Sequence, residues 1–339
     1  MSVFSKLKGF LSRHRNKFLI GGVLITGTVF LARYTRKSLR DWQEKETREF
    51  FDRTRKQNHF ESINRTCNET VINLSSSLLD KIYETINTDQ TIEKLKQNPE
   101  NKLEIWVELK NQVFIKAACV VYSLVMLVIT LKLQLNIIGG YLYKDPTSVP
   151  AEMQQKYLSI CQNFLNAGIE KLAKIIEAEV DKLLKNIDLK KQMKLSDLEA
   201  IFWSLQSSLD ARQDNPISQL RKYIFETDPP SSPDIYTSML RDTADLLESE
   251  EVKFLVIHQI NTGFVLLGDQ LSEFFNQNEP PSGEQFQNPF TNKKPLAKLV
   301  PILNGLLSKQ SLPHNLTNHL ITNEKLQTLC ANVYESLLG

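Results

Sequence analysis

Glycine and proline are scarce, at 12 and 13 residues in a chain of 339. Breakers this thinly spread leave little room for a strand-and-turn architecture, and long stretches repeat apolar residues every three or four positions, so a mostly helical chain is predicted. Cysteine is scarcer still. Cys67, Cys119, Cys161 and Cys330 lie far apart without CxxC spacing, which gives no support to a disulfide framework or a zinc site and suits reduced thiols facing the cytosol. The five histidines, His14, His59, His258, His314 and His319, form no HExxH or i, i+4 pair; His314 and His319 are read as lying across a loop. GxGxxG, GxxxxGK[ST] and GxSxG are all absent, which removes the usual phosphate cradles and the nucleophile elbow. The expectation is therefore a protein with no catalytic residue, metal ligand, cofactor or small-molecule substrate, and not an enzyme.

Acidic residues are missing altogether from residues 1 to 40, which carry nine Lys or Arg. The whole chain has 41 basic and 39 acidic residues, so the remainder holds 32 against 39 and is net acidic at −7. A body of that sign is a poor non-specific nucleic-acid binder, and no nucleic-acid partner is expected. The basic residues bracket FLIGGVLITGTVFLA, Phe18 to Ala32, fifteen residues without a charge. As a helix this run spans about 22 Å against a hydrocarbon core of roughly 30 Å, and Lys17, Arg33 and Tyr34 extend it by snorkelling. With no A-x-A cleavage pattern after it, residues 18–34 are expected to be a retained transmembrane helix in the lipid bilayer. Residues 1–17 form a basic tail before it and 35–58 a charged juxtamembrane helix after it. Lys and Arg are nearly balanced across the run, so charge alone leaves the topology open.

A second fifteen-residue run, AACVVYSLVMLVITL from Ala117 to Leu131, fits either a second span or a central core helix. The charged turns leading into it (Glu104, Glu108, Lys110, Lys116) favour the core, and a helix apolar all round needs neighbours on every side. Those neighbours are on offer: amphipathic patterns mark helices at 71–86, 157–187, 235–248 and 250–276, in LAKLVPILNGLL and in LQTLCANVYESLL. Ser196 with Glu199 gives a capping-box pattern, while DPPSSPD (228–234) and residues 278–295 read as loops. No repeat or composition break divides residues 59–339. The fold expected is all-α, an N-terminal transmembrane anchor followed by a single elongated helical-bundle domain.

Within that body, NPENKLEIWVELK (98–110) has too much apolar surface for one stripe. Asn98 is read as N-cap with Pro99 at the first helical position, opening a helix that runs about 60 Å to a stop at Gly139 and Gly140. Ile105, Leu109 and Val113 fall on one side of it and Leu103, Trp106 and Val107 on another. Apolar surface beyond what a core requires points to a partner-binding face.

HFESINRTCNETV (59–71), NPENKLEIWVELK, LQLNIIGGYLY (133–143), PLAKLVPILNG (295–305) and CANVYESL (330–337) closely resemble, in the same order, stretches of the peroxisomal biogenesis factor 3 family, also called peroxin-3. The resemblance implies a single-pass peroxisomal membrane protein with its main all-α domain in the cytosol. It implies a docking receptor for the chaperone peroxin-19, needed for targeting and insertion of peroxisomal membrane proteins, whose N-terminal amphipathic helix lies in a groove. It also assigns AACVVYSLVMLVITL to the core. On the matching motifs the groove residues are Trp106, Lys102, Leu95, Lys96 and Lys298; helical spacing adds Leu103. Val107 stands where related animal sequences are expected to carry an acidic residue. Two other readings are a membrane-anchored helical tether or adaptor for organelle positioning, and a mitochondrial outer-membrane address for the same basic-flanked span.

Overall fold

The computed structural model describes residues 15–230, 232–276 and 292–338, with side chains described from Trp42 onward, Asn276 excepted. Residues 1–14 of the expected tail, the side chains of the expected anchor at 18–34, and 277–291 of the expected loop lie outside this description. In chain order the helices are α1 (Arg15–Thr85), α2 (Thr88–Lys96), α3 (Lys102–Lys144), α4 (Ala151–Leu158) and α5 (Ile160–Asn163), then a π-helical turn (Phe164–Gly168) and α6 (Ile169–Leu184). They continue with α7 (Leu195–Asp210), α8 (Leu220–Ile224), α9 (Ile235–Glu248), α10 (Glu250–Asn276), α11 (Leu296–Leu306), α12 (Leu312–Thr322) and α13 (Glu324–Leu338). The strands found among the described residues are two residues long each: β1 (Gln192–Met193) pairs antiparallel with β2 (Lys294–Pro295). The protein is all-α.

The chain divides into two compact units, residues 1–58 and 59–339. In the first, α1 is charged and open to solvent from Trp42 onward, with Trp42, Phe50 and Phe51 exposed and Glu49 paired to Lys45 and Arg53 one turn away on either side. Such i, i+4 pairs contribute only about 0.3–0.5 kcal/mol each.

The second unit is organised by α3. Its 43 residues make a rod of about 65 Å at the usual rise, and from Val113 to Gly140 nearly every residue is buried. Helices α2, α6, α9, α10, α11, α12 and α13 all pack on it. Among the described residues α3 is the one helix long and apolar enough to cross a membrane, and its apolar window is entirely buried inside the protein. It is the core helix.

Local sequence signals around this rod are used differently from the pattern read off the sequence. Asn98 is not the N-cap of α3; it sits in the left-handed region at φ 57, and its N–H donates to the Leu95 carbonyl at 3.3 Å. Asn is one of the few residues that adopts this conformation cheaply, so Asn98 ends α2, and Pro99 follows as proline commonly does after a helix stop. Helix α3 then starts at Lys102. Gly139 and Gly140 do not stop α3, which continues to Lys144; a Cβ at Gly139 would collide with Ile63 and one at Gly140 would lie 2.8 Å from Leu337. These glycines permit close helix approach instead.

The single helix expected over 157–187 is broken at Ser159 and by the π-helical turn, where a Cβ on Gly168 would lie 2.7 Å from the Tyr223 carbonyl oxygen. Helix α7 begins at Leu195, and it is Asp197, rather than a Ser196–Glu199 box, whose carboxylate accepts the Lys194 N–H at 2.8 Å. His314 and His319 share one helix, α12, started by Pro313 in its first turn. The helices at 235–248 and 250–276 lie where the pattern puts them.

One buried carboxylate clamps α6 to the end of α7. Glu179 accepts from Arg212 at 2.6 Å, Lys182 at 2.8 Å and Ser208 at 2.8 Å. Burial pushes its carboxyl group up, but these hydrogen bonds win and bring it down to about 2 from 4.5. The folded state therefore gains stability that is fully present above pH 4.5 and is lost as pH falls towards 2. At roughly 1.4 kcal/mol per unit, Glu179→Gln is expected to cost about 3 kcal/mol at neutral pH. Thermal melts of the two proteins are expected to converge on acidification to pH 3 and below; a gap independent of pH would contradict the clamp.

Candidate partner-binding site

The turn between α2 and α3 places the candidate residues on adjoining elements. Leu95 and Lys96 close α2, whose Asn87 N-cap accepts the Gln90 N–H at 2.9 Å. After the left-handed Asn98, Lys102, Leu103 and Trp106 occupy the first turns of α3. Ile105, Leu109 and Val113 are buried, whereas Leu103 is 69% and Val107 40% exposed. Trp106 and Leu95 are half-buried against the edge of the core. The wide apolar face thus splits into a packed side and an open side, with Trp106 on the seam between them.

Lys298 arrives from α11 and is exposed, as are Lys96 and Lys102. Among the described residues none of these three ammonium groups is in an ion pair, while Glu100 and Glu104, also exposed, are interspersed with them. The three lysines thus lie on three separate elements, α2, α3 and α11.

Two lysines on α3, read from the sequence only as part of the charged turns leading into the apolar run, are buried and fix those elements relative to each other. Lys110, one turn after Trp106, donates from Nζ to the carbonyls of Leu184 and Ile187, each at 3.0 Å. Leu184 ends α6, so the ammonium group meets the negative end of a helix. The segment after it then holds α11: Leu296 N–H donates to the Lys191 carbonyl at 3.0 Å and Ala297 N–H to that of Leu189 at 2.9 Å. This short relay joins the first turn of α11, which carries Lys298, to α3 at Lys110. Lys116 donates to Thr88 Oγ1 at 3.0 Å and Asn304 Oδ1 at 3.4 Å, joining the first turn of α2 to α11, and lies 4.4 Å over the Tyr83 ring. The signal for both was present in the sequence. A lysine inside an apolar stripe either snorkels or finds buried acceptors, and the length of α3 decides for the second.

Burial pushes Lys110 below the ordinary lysine value against the opposing pull of Asp188 and Asp181, and does the same to Lys116 against Asp89. The four cysteines are free and buried. Burial raises the Cys67 thiol to about 11 and those of Cys161 and Cys330 to about 12, far from the thiolate range of a nucleophile. Among the described residues no group of three His, Cys, Asp or Glu side chains is placed to hold a metal ion.

Comparison with known proteins decides what kind of molecule carries this surface. The Peroxin-3 family model matches residues 9–102, 96–146 and 143–336. The chain belongs to the peroxin-3 family. It is 34% identical to peroxisomal biogenesis factor 3 of Rattus norvegicus over an alignment of 356 positions covering 96% of each chain, and 34% identical to that of Homo sapiens over 357 positions with the same coverage. A plant relative, peroxisome biogenesis protein 3-2 of Arabidopsis thaliana, is 26% identical over 54% of this chain and 58% of its own. Peroxin-3 membership gives the chain a role in peroxisome biogenesis, as an assembly factor rather than a member of an enzyme class.

The lowered Lys110 group has a measurable consequence. Between its folded value and the unfolded 10.5 the unfolded chain binds more protons, so stability rises with pH in that window. Lys110→Met removes this rise. Urea denaturation is expected to show the stability gap between wild type and variant widening from neutral pH towards pH 10, and a constant gap would contradict the assignment.

Proposed function

We propose that this protein is the peroxisomal membrane docking receptor for the chaperone peroxin-19, with the surface around Trp106 receiving the chaperone's N-terminal amphipathic helix. The observation that carries the reading is the seam position of Trp106: half-buried against the core, it shares the first turns of α3 with exposed Leu103 and Val107, and the exposed Lys96, Lys102 and Lys298 are read as its basic rim. A helix-in-groove receptor requires an aromatic anchor held by its own scaffold, apolar contacts beside it and charge opposite to the ligand's at the rim. Leu95 and Leu103 extend the strip, and the three lysines select a helix with acidic flanks. The exposed Val107 adds apolar contact at the place where an acidic residue would have repelled such a ligand.

The same reading makes residues 18–34 the single membrane span, residues 1–17 its basic tail and 35–58 a charged juxtamembrane stretch, with residues 59–339 as the cytosolic receptor domain. The family supports the peroxisomal address. The acid-free, basic-flanked run from Phe18 supports the anchor.

Calorimetry of the full-length protein with the N-terminal peptide of peroxin-19 tests the proposal. Trp106→Ala is expected to weaken binding by about 30- to 1,000-fold, the about 2–4 kcal/mol typical of a buried aromatic anchor, with the fold retained in a melting curve. Reversing the rim charge with Lys298→Glu is expected to cost about tenfold and to flatten the salt dependence. Unchanged affinity in Trp106→Ala would place the chaperone elsewhere. Collapse of the fold would return Trp106 to the core.

A further inference from the structure

A second apolar surface lies on elements that contribute nothing to the one above. Helices α7 and α10 border a cleft of about 470 Å³. Its floor is made by the buried Leu198, Phe202, Phe264 and Leu271, and at its lips Trp203 and Val265 are 70% and 60% exposed. Glu199 and Asp269 supply the charge of the lining, which contains no Lys or Arg. From these features we propose that the cleft is a second docking site, for an amphipathic helix of a partner protein that carries basic residues on either side of its apolar face.

The floor is already in place before any ligand arrives. Phe202 stacks on Phe264 at 5.1 Å and on Phe114 of the central helix at 5.4 Å, and Phe264 meets Tyr122 edge-on at 6.3 Å. A rigid aromatic floor spares an incoming side chain the entropy of ordering it. Trp203, by contrast, has no ring partner among the described residues. An exposed tryptophan at the lip of an apolar cleft is the residue type most enriched in interface anchors.

Gly268 offers an independent observation. It lies in the interior of α10 and lines the cleft, and glycine there costs the helix stability relative to alanine. Gly139, Gly140, Gly168 and Gly263 each lack room for a Cβ because another element comes within 3 Å, whereas the nearest atom to a Cβ at Gly268 is the tip of the flexible Glu199 side chain, at 3.3 Å, and one at Gly305 near the end of α11 would meet nothing within 4 Å. Packing within the chain does not demand this glycine. Its lack of a side chain leaves the helix backbone open to an occupant of the cleft.

Charge selects the occupant. Glu199 and Asp269 line the cleft, and the exposed Glu273 lies one turn beyond Asp269 on α10. A helix with acidic flanks, the kind suited to the lysine-bordered surface around Trp106, is repelled here, as is an anionic membrane surface. A helix with Lys or Arg on both sides of an apolar face satisfies floor and rim together. The two surfaces therefore accept ligands of opposite sign.

The test uses the full-length protein in detergent micelles and a fluorescent synthetic helix of about 18 residues, with Leu and Phe on one face and Lys on both flanks; a counterpart with Glu in place of every Lys is the control. Anisotropy is expected to show salt-sensitive binding of the Lys peptide that Trp203→Ala weakens by about tenfold or more and Trp106→Ala leaves unchanged. Gly268→Leu, which fills the cleft, is expected to abolish binding, while Gly268→Ala folds at least as stably as wild type. Should Gly268→Leu fail to fold, the double variant Glu199→Gln with Asp269→Asn decides, and it is expected to weaken the Lys peptide by about tenfold. The proposal is overturned by absence of binding, by equal binding of the Glu peptide, by indifference to Trp203→Ala, or by loss of binding in Trp106→Ala. Co-sedimentation of the protein with anionic lipid vesicles that Trp203→Ala abolishes also overturns it and makes the cleft a membrane contact.

Discussion

Everything in the second unit depends on burying one helix that is apolar on all sides. A helix with a single apolar stripe is satisfied by one neighbour, but α3 exposes apolar side chains around its whole circumference and is stable in water only when enclosed. At about 25 cal/mol for each Å² removed from water, this burial is the main favourable contribution available to the fold. The neighbours need only one good face each, which is why α6 and α9 are simple amphipaths.

Enclosure alone would leave the surrounding helices free to slide, because apolar contact has no direction. Three lysines on α3 supply the direction. Lys110 and Lys116 reach the ends of α6, α2 and α11, and Lys132 donates to Asn68 Oδ1 at 3.1 Å and to the Ile321 carbonyl at 3.3 Å near the end of α12. A buried ammonium group without acceptors is so costly that each lysine holds its acceptors in one register. Two of the three grip carbonyls at helix C-terminal ends, where the backbone otherwise lacks intrahelical donors and carries partial negative charge. These three ammonium groups thus act as locators on a scaffold that hydrophobic packing holds closed.

Much of this was legible before the structure. The all-α class and the division of α3 into a packed side (Ile105, Leu109, Val113) and an open one (Leu103, Val107) follow from composition and helical spacing alone, while the core role of the run at 117–131 was favoured by its charged lead-in and assigned by the family resemblance. What misled were local signals with two uses. An Asn–Pro pair marks a helix start when asparagine caps with its side chain, and a helix stop when its backbone turns left-handed; Asn98 does the second, and nothing within the heptad around it distinguishes the cases. A Gly–Gly pair ends a helix or lets another helix approach, and Ile63 and Leu337, far away in sequence, determine which. The relay from Lys110 through Leu184 to the start of α11 was hidden for the same reason. It depends on contacts between residues more than seventy positions apart.

The seam position of Trp106 follows from this construction. A side chain wholly inside the core cannot meet a ligand, and one wholly outside has no fixed orientation to offer; an anchor needs one edge held by the scaffold and one edge open. The first turn of α3 meets both conditions because the helix emerges there from its enclosure: by Leu109 it is buried, at Leu103 it is open, and Trp106 falls between. The cleft between α7 and α10 reaches the same end differently, with its aromatic floor continuous with α3 through Phe114 and its tryptophan left outside. Both surfaces therefore draw their rigidity from the central helix. Replacing an exposed residue at either leaves that helix enclosed, whereas loosening α3 disturbs both surfaces together.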